Sequence, residues 1–153
     1  MIKVCLAGAT GWTGKALATA LHTSAEFELT SALTRTTDGR DLGEVIAGTH
    51  WGTPIYSDLN KALAGVDVMI EYTGHASVKA NTLAAIAAGV HVVVGSSGMS
   101  AEDFAEIETA AKNKGVGVIA AGNYSLTAAL AQAAALMVAK HLPQWEVIDY
   151  ASK

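Results

Sequence analysis

The chain has 153 residues, 51% of them hydrophobic and 16% charged, so it has the composition of a folded domain rather than of a disordered tail. Its length favours one main domain over two independent ones. The formal net charge of −4 and the absence of a basic run argue against a nucleic-acid partner, and no apolar stretch approaches the roughly 20 residues that span a bilayer, which argues against a membrane partner.

The first predicted element is a strand at Ile2–Ala7, which contains the single cysteine, Cys5. A lone cysteine forms no internal disulfide, and its place in an apolar run indicates a buried residue rather than a nucleophile. Gly8 interrupts this run too early for the core of a signal peptide. These features predict a protein of the cytoplasm.

A glycine-rich loop follows this strand and opens the first predicted helix, Thr13–His22. Gly8 suits a tight turn, Gly11 a close backbone approach to a diphosphate, and Gly14 the packing of helix on strand. The N–H groups at the helix start then face the phosphates. The arrangement is typical of Rossmann-type dinucleotide-binding domains. The loop residues that we expect to contact the cofactor are Gly8, Ala9, Thr10, Gly11, Trp12, Thr13 and Gly14.

The second predicted strand, Glu28–Thr34, lacks the carboxylate that usually binds the ribose 2'-hydroxyl in NAD-specific domains. Instead Thr34 and Thr36 offer hydroxyls and Arg35 offers a planar cation suited to a 2'-phosphate. These three residues predict NADPH as the preferred cofactor, with NADH as the alternative. The competing interpretation is that Arg35 is a solvated loop cation.

Short apolar runs and alanine-rich segments alternate along the rest of the chain. Further strands are predicted at 67–72, 91–95 and 116–121, and further helices at 57–63, 77–88, 100–114 and 125–141. Ser100 and Asp103 have the spacing of a capping box, and Ser125 is placed to cap the last helix. Strands that are apolar on both faces indicate a parallel sheet covered by helices. The predicted fold class is therefore α/β, a Rossmann-type doubly wound parallel sheet.

The end of the chain has a different character. Residues 145–150 resemble one more strand after the long helix, which predicts the start of a second α+β domain whose remainder is absent here. The expected division is 1–124 for the NAD(P)-binding domain and 125–153 for the connecting helix and first strand of a substrate and oligomerisation domain. The apolar helix is expected to pack against further protein.

Five histidines raise the question of metal or acid–base chemistry. None has another histidine, cysteine or carboxylate at ligand spacing on one predicted element, so we predict no metal site. His75 differs from the others because it follows Thr73 and Gly74 at a strand end. We expect these three residues to contact the cofactor.

Four segments together resemble the dihydrodipicolinate reductase (4-hydroxy-tetrahydrodipicolinate reductase) family: 8–14, 70–74, 94–98 and 121–126. The resemblance covers essentially the whole chain and depends on the order and spacing of these segments. It implies hydride transfer from NAD(P)H to a small-molecule substrate, a cyclic imine-like intermediate of lysine and diaminopimelate biosynthesis. It also implies that the nicotinamide half is held by Gly95, Ser96, Ser97, Ala121, Gly122, Asn123 and Tyr124.

The chain departs from the family pattern in two places. Trp12 stands where the family commonly has arginine, and the strand at 146–149 is followed by Tyr150, Ala151, Ser152 and Lys153, without the family's histidine pair or its Asp-x-Pro-Ser-Gly-Thr segment. In the family the second domain supplies the proton donor and the substrate clamp and joins the subunits of a homo-oligomer. The catalytic residues are therefore unassigned, and we expect no turnover by this chain alone.

Two other functions stay open on the sequence. One is a reductase or dehydrogenase of a related amino acid or imine, which the missing histidine pair would permit. The other is a stand-alone NADP-binding regulatory module. The Tyr-x-x-x-Lys pair of short-chain dehydrogenases does not occur in the chain.

Overall fold

The structure, a computed structural model, describes residues 1–146 and 148. The chain divides into two compact units, Met1–Ala121 and Gly122–Lys153. The strands are β1 (Ile2–Ala7), β2 (Phe27–Leu33), β3 (Ile55–Tyr56), β4 (Val68–Glu71), β5 (His91–Val94) and β6 (Val118–Ala120). The helices are α1 (Trp12–His22), α2 (Leu42–Ala47), α3 (Leu59–Ala62), α4 (Val78–Ala87), α5 (Ala101–Lys114) and α6 (Leu126–Ala139).

The first unit is built on a parallel sheet. Across the described residues its strand order is β3-β2-β1-β4-β5-β6, and each neighbouring pair is parallel. This order confirms the predicted α/β class and the doubly wound arrangement. The direction of winding reverses between β1 and β4, which in such sheets creates a crevice beyond the carboxyl ends of the strands.

The core lies on both faces of this sheet. Val4 and Leu6 of β1 belong to one buried cluster, whereas Cys5 and Ala7 belong to the other, because successive side chains of a strand point to opposite faces. Cys5 is fully buried, as expected from its apolar surroundings, and burial raises the pKa of its thiol to about 11. Such a thiol stays protonated at neutral pH and is a poor nucleophile.

Two predicted helix caps are confirmed. The Ser100 hydroxyl accepts a hydrogen bond from the Asp103 N–H at 3.2 Å, and the Asp103 carboxylate accepts one from the Ser100 N–H at 2.9 Å. In the second unit, the Ser125 hydroxyl accepts a hydrogen bond from the N–H of Ala128 at the start of α6. Both caps satisfy N–H groups that have no partner inside the helix.

The segment between β2 and α3 contains two elements that the sequence patterns do not indicate, α2 and β3. They have six and two residues, too few to display a hydrophobic period. The Asp41 carboxylate holds this segment: it accepts hydrogen bonds from the N–H groups of Glu44, Trp51 and Thr53 at 3.1, 2.9 and 2.8 Å.

The helix predicted at 57–63 is shorter than expected. It contains the four residues Leu59–Ala62, and its N-cap is Asp58. The Asp58 carboxylate accepts a hydrogen bond from the N–H of Asn60 at 2.8 Å, and the helix starts two residues later than the predicted range.

The second unit consists of α6 and the residues around it. Large apolar side chains of α6 are exposed, among them Leu130 and Met137. Trp145, Glu146 and Ile148 belong to no strand, and the rest of the strand predicted at 145–150 lies outside the described residues. Over the part of the chain that is described, no helix combines the length and apolarity needed to cross a membrane.

Replacement of Asp41 by alanine is expected to lower the free energy of unfolding by about 1–2 kcal/mol, because three N–H groups lose their acceptor. Urea denaturation at neutral pH measures the change. The matched control is Glu26→Ala, which removes an exposed carboxylate on the same unit. Equal stabilities of the two variants would contradict the role of Asp41.

The stabilisation by Asp41 should also depend on pH. Burial by itself raises the pKa of Asp41, but the hydrogen bonds from Trp51, Glu44 and Thr53 and the nearby His50 outweigh it and leave the pKa below its ordinary value. On acidification the unfolded chain therefore binds the proton first. The stability difference between the chain and Asp41→Ala is expected to be full above the ordinary pKa and to disappear as the pH falls through the lower, folded-state pKa. A difference that stays constant throughout acidification would contradict this linkage.

Candidate functional site

A cavity of about 470 Å³ lies at the carboxyl edge of the sheet, where β1, β2 and β4 end. This edge is the point at which the strand order reverses. The residues that line the cavity are Gly8, Thr10, Gly11, Leu33, Thr34, Arg35, Ser57, Leu59, Tyr72, Thr73, Gly74, His75, Ala76, Ser77 and Asn81. The cavity is therefore formed by the segments that follow four different strands.

The glycine loop packs backbone against backbone. Gly8 has a φ of +83°, and a Cβ there would overlap the carbonyl group of Tyr72. Its N–H donates to the Leu33 carbonyl at 2.8 Å. A Cβ at Gly14 would overlap the Gly8 carbonyl oxygen and lie 2.9 Å from the backbone of Ala9. These contacts bring the ends of β1, β2 and β4 together around the loop.

The N-terminus of α1 differs from those of α2, α3, α5 and α6. Those four helices begin at an aspartate or serine whose side chain accepts a hydrogen bond from the first turn. Among the described residues no side chain caps α1, which begins after Gly11 and has no acidic residue in its first turn. The N–H groups of this turn, together with the positive end of the helix dipole, suit an anion.

The β2 side of the cavity carries a positive charge. Arg35 is exposed and lines the cavity, and no aspartate or glutamate is among the described residues that line it. The Thr34 hydroxyl donates to the Thr36 carbonyl, so its proton is already used within the loop. The Thr34 N–H donates to the backbone carbonyl of Tyr56 at 3.0 Å, which fixes this loop against β3.

The β4 side is formed by Tyr72, Thr73, Gly74 and His75. The segment after β5 packs directly on it: a Cβ at Gly95 would overlap the Tyr72 ring, and a Cβ at Gly98 would overlap the His75 ring. Glycine at these two positions therefore lets the aromatic rings lie against the β5 segment.

The structure brings part of the predicted site into the cavity. The predicted residues that line it are Gly8, Thr10, Gly11, Thr34, Arg35, Thr73, Gly74 and His75. The predicted residues of the first unit that do not line it are Ala9, Trp12, Thr13, Gly14, Thr36, Gly95, Ser96, Ser97 and Ala121. Trp12 is almost fully exposed, with 95% of its surface accessible. Gly122, Asn123 and Tyr124 belong to the second unit, where the Asn123 side chain accepts a hydrogen bond from the Ser125 N–H at 2.7 Å.

Seven lining residues were not predicted. They are Leu33, Ser57, Leu59, Tyr72, Ala76, Ser77 and Asn81. Tyr72 lies inside the 70–74 motif and could have been included on that signal. No sequence motif marks Asn81 as a site residue. It lies inside α4 and lines the cavity because that helix begins beside the end of β4.

Outside the cavity, the ligand atoms of Asp41, Glu44 and His50 lie within 4.8 Å of one another. Both carboxylate oxygens of Asp41 already accept backbone N–H groups, so its position in this cluster is explained by the loop that it holds. His91 has a structural contact, since its Nδ1 accepts a hydrogen bond from the Gly117 N–H at 2.8 Å.

Comparison of sequences gives a consistent family. Residues 2–124 match the family model described as dihydrodipicolinate reductase, N-terminus. A 4-hydroxy-tetrahydrodipicolinate reductase of Bacillus pumilus (strain SAFR-032) is 35% identical over 150 residues, which are 97% of this chain and 56% of that relative. One from Geobacillus kaustophilus (strain HTA426) is 32% identical, with 97% and 57% covered. The chain therefore spans somewhat more than half the length of these curated relatives.

Comparison of structures agrees on the fold. The dipicolinate-bound dihydrodipicolinate reductase from Paenisporosarcina sp. TG-14 has a TM-score of 0.77 at 23% identity, covering 94% of this chain and 55% of that one. GenD2 from gentamicin A biosynthesis, in complex with NAD, has a TM-score of 0.66 at 26% identity, covering 80% of this chain and 35% of that one.

Replacement of Gly14 by alanine is expected to lower the free energy of unfolding by about 1–3 kcal/mol, because the added methyl group overlaps backbone atoms that have no room to move. The gain of about 1 kcal/mol in helix propensity does not offset this overlap. Thermal or urea unfolding measures the change. Gly122→Ala is the control, since a Cβ there meets no described atom within 4 Å and should change stability by less than about 0.5 kcal/mol. A Gly14→Ala chain as stable as this control would disprove the close packing.

Proposed function

The chain belongs to the dihydrodipicolinate reductase family, in the part that the family's N-terminal model covers, and on this premise we propose that it is the NADPH-binding portion of a 4-hydroxy-tetrahydrodipicolinate reductase. The observation that carries the proposal is the cavity at the strand-order reversal, bordered by the glycine loop and by a helix N-terminus without a side-chain cap. A diphosphate needs N–H donors at close range and no facing carboxylate. The reaction is hydride transfer to a cyclic imine-like intermediate of lysine and diaminopimelate biosynthesis.

The cavity residues fit the parts of a dinucleotide. Gly8, Thr10 and Gly11 would hold the diphosphate, where a side chain larger than hydrogen at Gly8 meets the Tyr72 backbone. Arg35 would bind the 2'-phosphate of the adenosine ribose as a charge-assisted donor. When bound, the reduced nicotinamide supplies the hydride. This chain's own contribution is to hold and orient the cofactor.

The nicotinamide half is proposed to lie near Thr73, Gly74 and His75. The family resemblance adds further residues to this end of the cofactor, and they stand as part of the proposal: Gly95, Ser96, Ser97, Ala121, Gly122, Asn123 and Tyr124. Trp12, which replaces the family's usual arginine, offers an aromatic face instead of a phosphate contact.

Other features of the whole protein are proposed from the family alone. They are a proton donor and a substrate clamp in a second domain, a homo-oligomer joined through that domain, and a cytoplasmic location. The exposed apolar face of α6 supports the oligomer or the second domain as a covering partner.

The function is tested by assaying the full-length product of the gene. The protein is expected to consume NADPH when 4-hydroxy-tetrahydrodipicolinate is supplied as substrate. The loss of absorbance of the reduced nicotinamide measures this consumption. Turnover of a related amino acid or imine in its place would favour the alternative substrate. Tight NADPH binding without any turnover would favour a stand-alone regulatory module.

Arg35 is expected to determine the cofactor preference. Arg35→Ala should lower the affinity for NADPH about tenfold, or about 1.4 kcal/mol, and leave the affinity for NADH nearly unchanged, because only NADPH carries the 2'-phosphate. Titration with both cofactors measures the effect. Arg40→Ala is the matched control, since Arg40 is an exposed arginine of the same connection that does not line the cavity. Equal or tighter binding of NADH by the unmodified chain would refute the NADPH preference.

A further inference from the structure

Glu71 is a fully buried carboxylate at the carboxyl end of β4, beside the cavity. Its Oε1 accepts hydrogen bonds from the Thr73 N–H at 3.2 Å, from the Thr73 hydroxyl, and from Nδ2 of Asn81 at 3.2 Å. Its Oε2 is also buried and has no hydrogen-bond partner among the described residues. A buried oxygen without a partner costs free energy, so a carboxylate at this position calls for an explanation beyond packing.

The contacts of Glu71 determine how the Asn81 amide is oriented. Nδ2 of Asn81 donates to Oε1 of Glu71 and, at 3.3 Å, to the hydroxyl of Thr73. Both partners act as acceptors, and only the NH₂ end of an amide can donate. The NH₂ end therefore faces the buried carboxylate, and the carbonyl oxygen, Oδ1, lies at the opposite end of the amide.

Asn81 also lines the cavity, from the first turn of α4. With its NH₂ end held by Glu71 and Thr73, the group that it presents to a ligand is an acceptor. Phosphate oxygens accept hydrogen bonds but do not donate them, whereas ribose hydroxyls can also donate. The side of the cavity at Asn81 thus suits a sugar hydroxyl, while the N–H groups of the glycine loop suit a phosphate.

We propose that Asn81 is a further cofactor-contacting residue whose carbonyl oxygen accepts a hydrogen bond from a ribose hydroxyl of the dinucleotide, and that Glu71 is the positioning residue that fixes this acceptor. The inference rests on the proposed cofactor binding and assigns a residue to it. Thr73 completes the arrangement, because its hydroxyl donates to Glu71 and accepts from Asn81. Glu71 itself does not line the cavity.

The first test is the dissociation constant of NADPH, measured by titration calorimetry with the folded chain. Asn81→Ala is expected to weaken binding about tenfold, the loss of one hydrogen bond. Asn113→Ala is the control, since Asn113 is an exposed asparagine on α5 that does not line the cavity. The free energy of unfolding, measured without cofactor, shows whether either change acts only on stability. An Asn81→Ala chain that binds NADPH as tightly as the unmodified chain overturns the inference.

The second test asks whether Glu71 acts through Asn81. Glu71→Ala should weaken NADPH binding about as much as Asn81→Ala, and the double variant should bind no more weakly than either single variant. Glu71→Gln keeps an acceptor for Thr73 and Asn81 and should retain most of the affinity, which a requirement for the charge alone would not allow. If Glu71→Ala does not fold, Glu71→Gln is measured alone and should bind NADPH within about threefold of the unmodified chain. Additive effects of the two alanine changes, or a Glu71→Gln chain as weak as Asn81→Ala, overturn the positioning role.

Cofactor fragments identify the hydroxyl. Nicotinamide mononucleotide and adenosine 2',5'-bisphosphate each carry one ribose, and Asn81→Ala should weaken binding of one fragment and leave the other unchanged. Equal weakening of both, or of neither, overturns the assignment to a single ribose. If the unmodified chain binds neither NADPH nor NADH, the proposed function itself fails, an outcome distinct from a variant that binds as well as the unmodified chain.

Discussion

The packing of the β1–α1 turn against its neighbours is the constraint on which the first unit depends. At Gly8 the backbone of this turn lies on the backbone of Tyr72, and at Gly14 the first turn of α1 lies on the Gly8 carbonyl. Because β1 pairs with both β2 and β4, these contacts set how closely three strand ends approach one another. A side chain at either position would push the helix away from the sheet and open the cavity that the strand ends enclose.

Helices α1 and α5 differ in how their first N–H groups are satisfied. At α5 the reciprocal bonds of Ser100 and Asp103 complete the N-terminus internally, so that this helix needs no ligand. At α1 Gly11 brings no side chain, and the residues that precede the helix, Thr10 and Gly11, line the cavity at the carboxyl edge of the sheet. Polar backbone groups must find partners. The contrast therefore separates a helix that serves the fold from one that is suited to an anion.

Three buried side chains, Cys5, Asp41 and Glu71, have different roles in the structure. Cys5 lies inside the sheet, where burial raises the pKa of its thiol and leaves it inert. Asp41 lies at the start of α2 and accepts hydrogen bonds from three N–H groups of the segment between β2 and α3. Glu71 lies at a strand end and connects Thr73 to Asn81 at the cavity wall. One of these groups therefore serves packing, one the loop and one the site.

The sequence alone determined the features that depend on neighbouring residues: the glycine loop, the caps at Ser100 and Ser125, and the alternation of strands and helices that implies a parallel sheet. Such features depend on interactions between residues a few positions apart, so the local sequence is enough to predict them. Tertiary structure decided the existence of α2 and β3 and the place of Asn81 at the cavity. These features depend on bonds between residues ten or more positions apart, as from Asp41 to Thr53 and from Glu71 to Asn81. No local period or motif records such pairs, because the folded sheet alone brings them together.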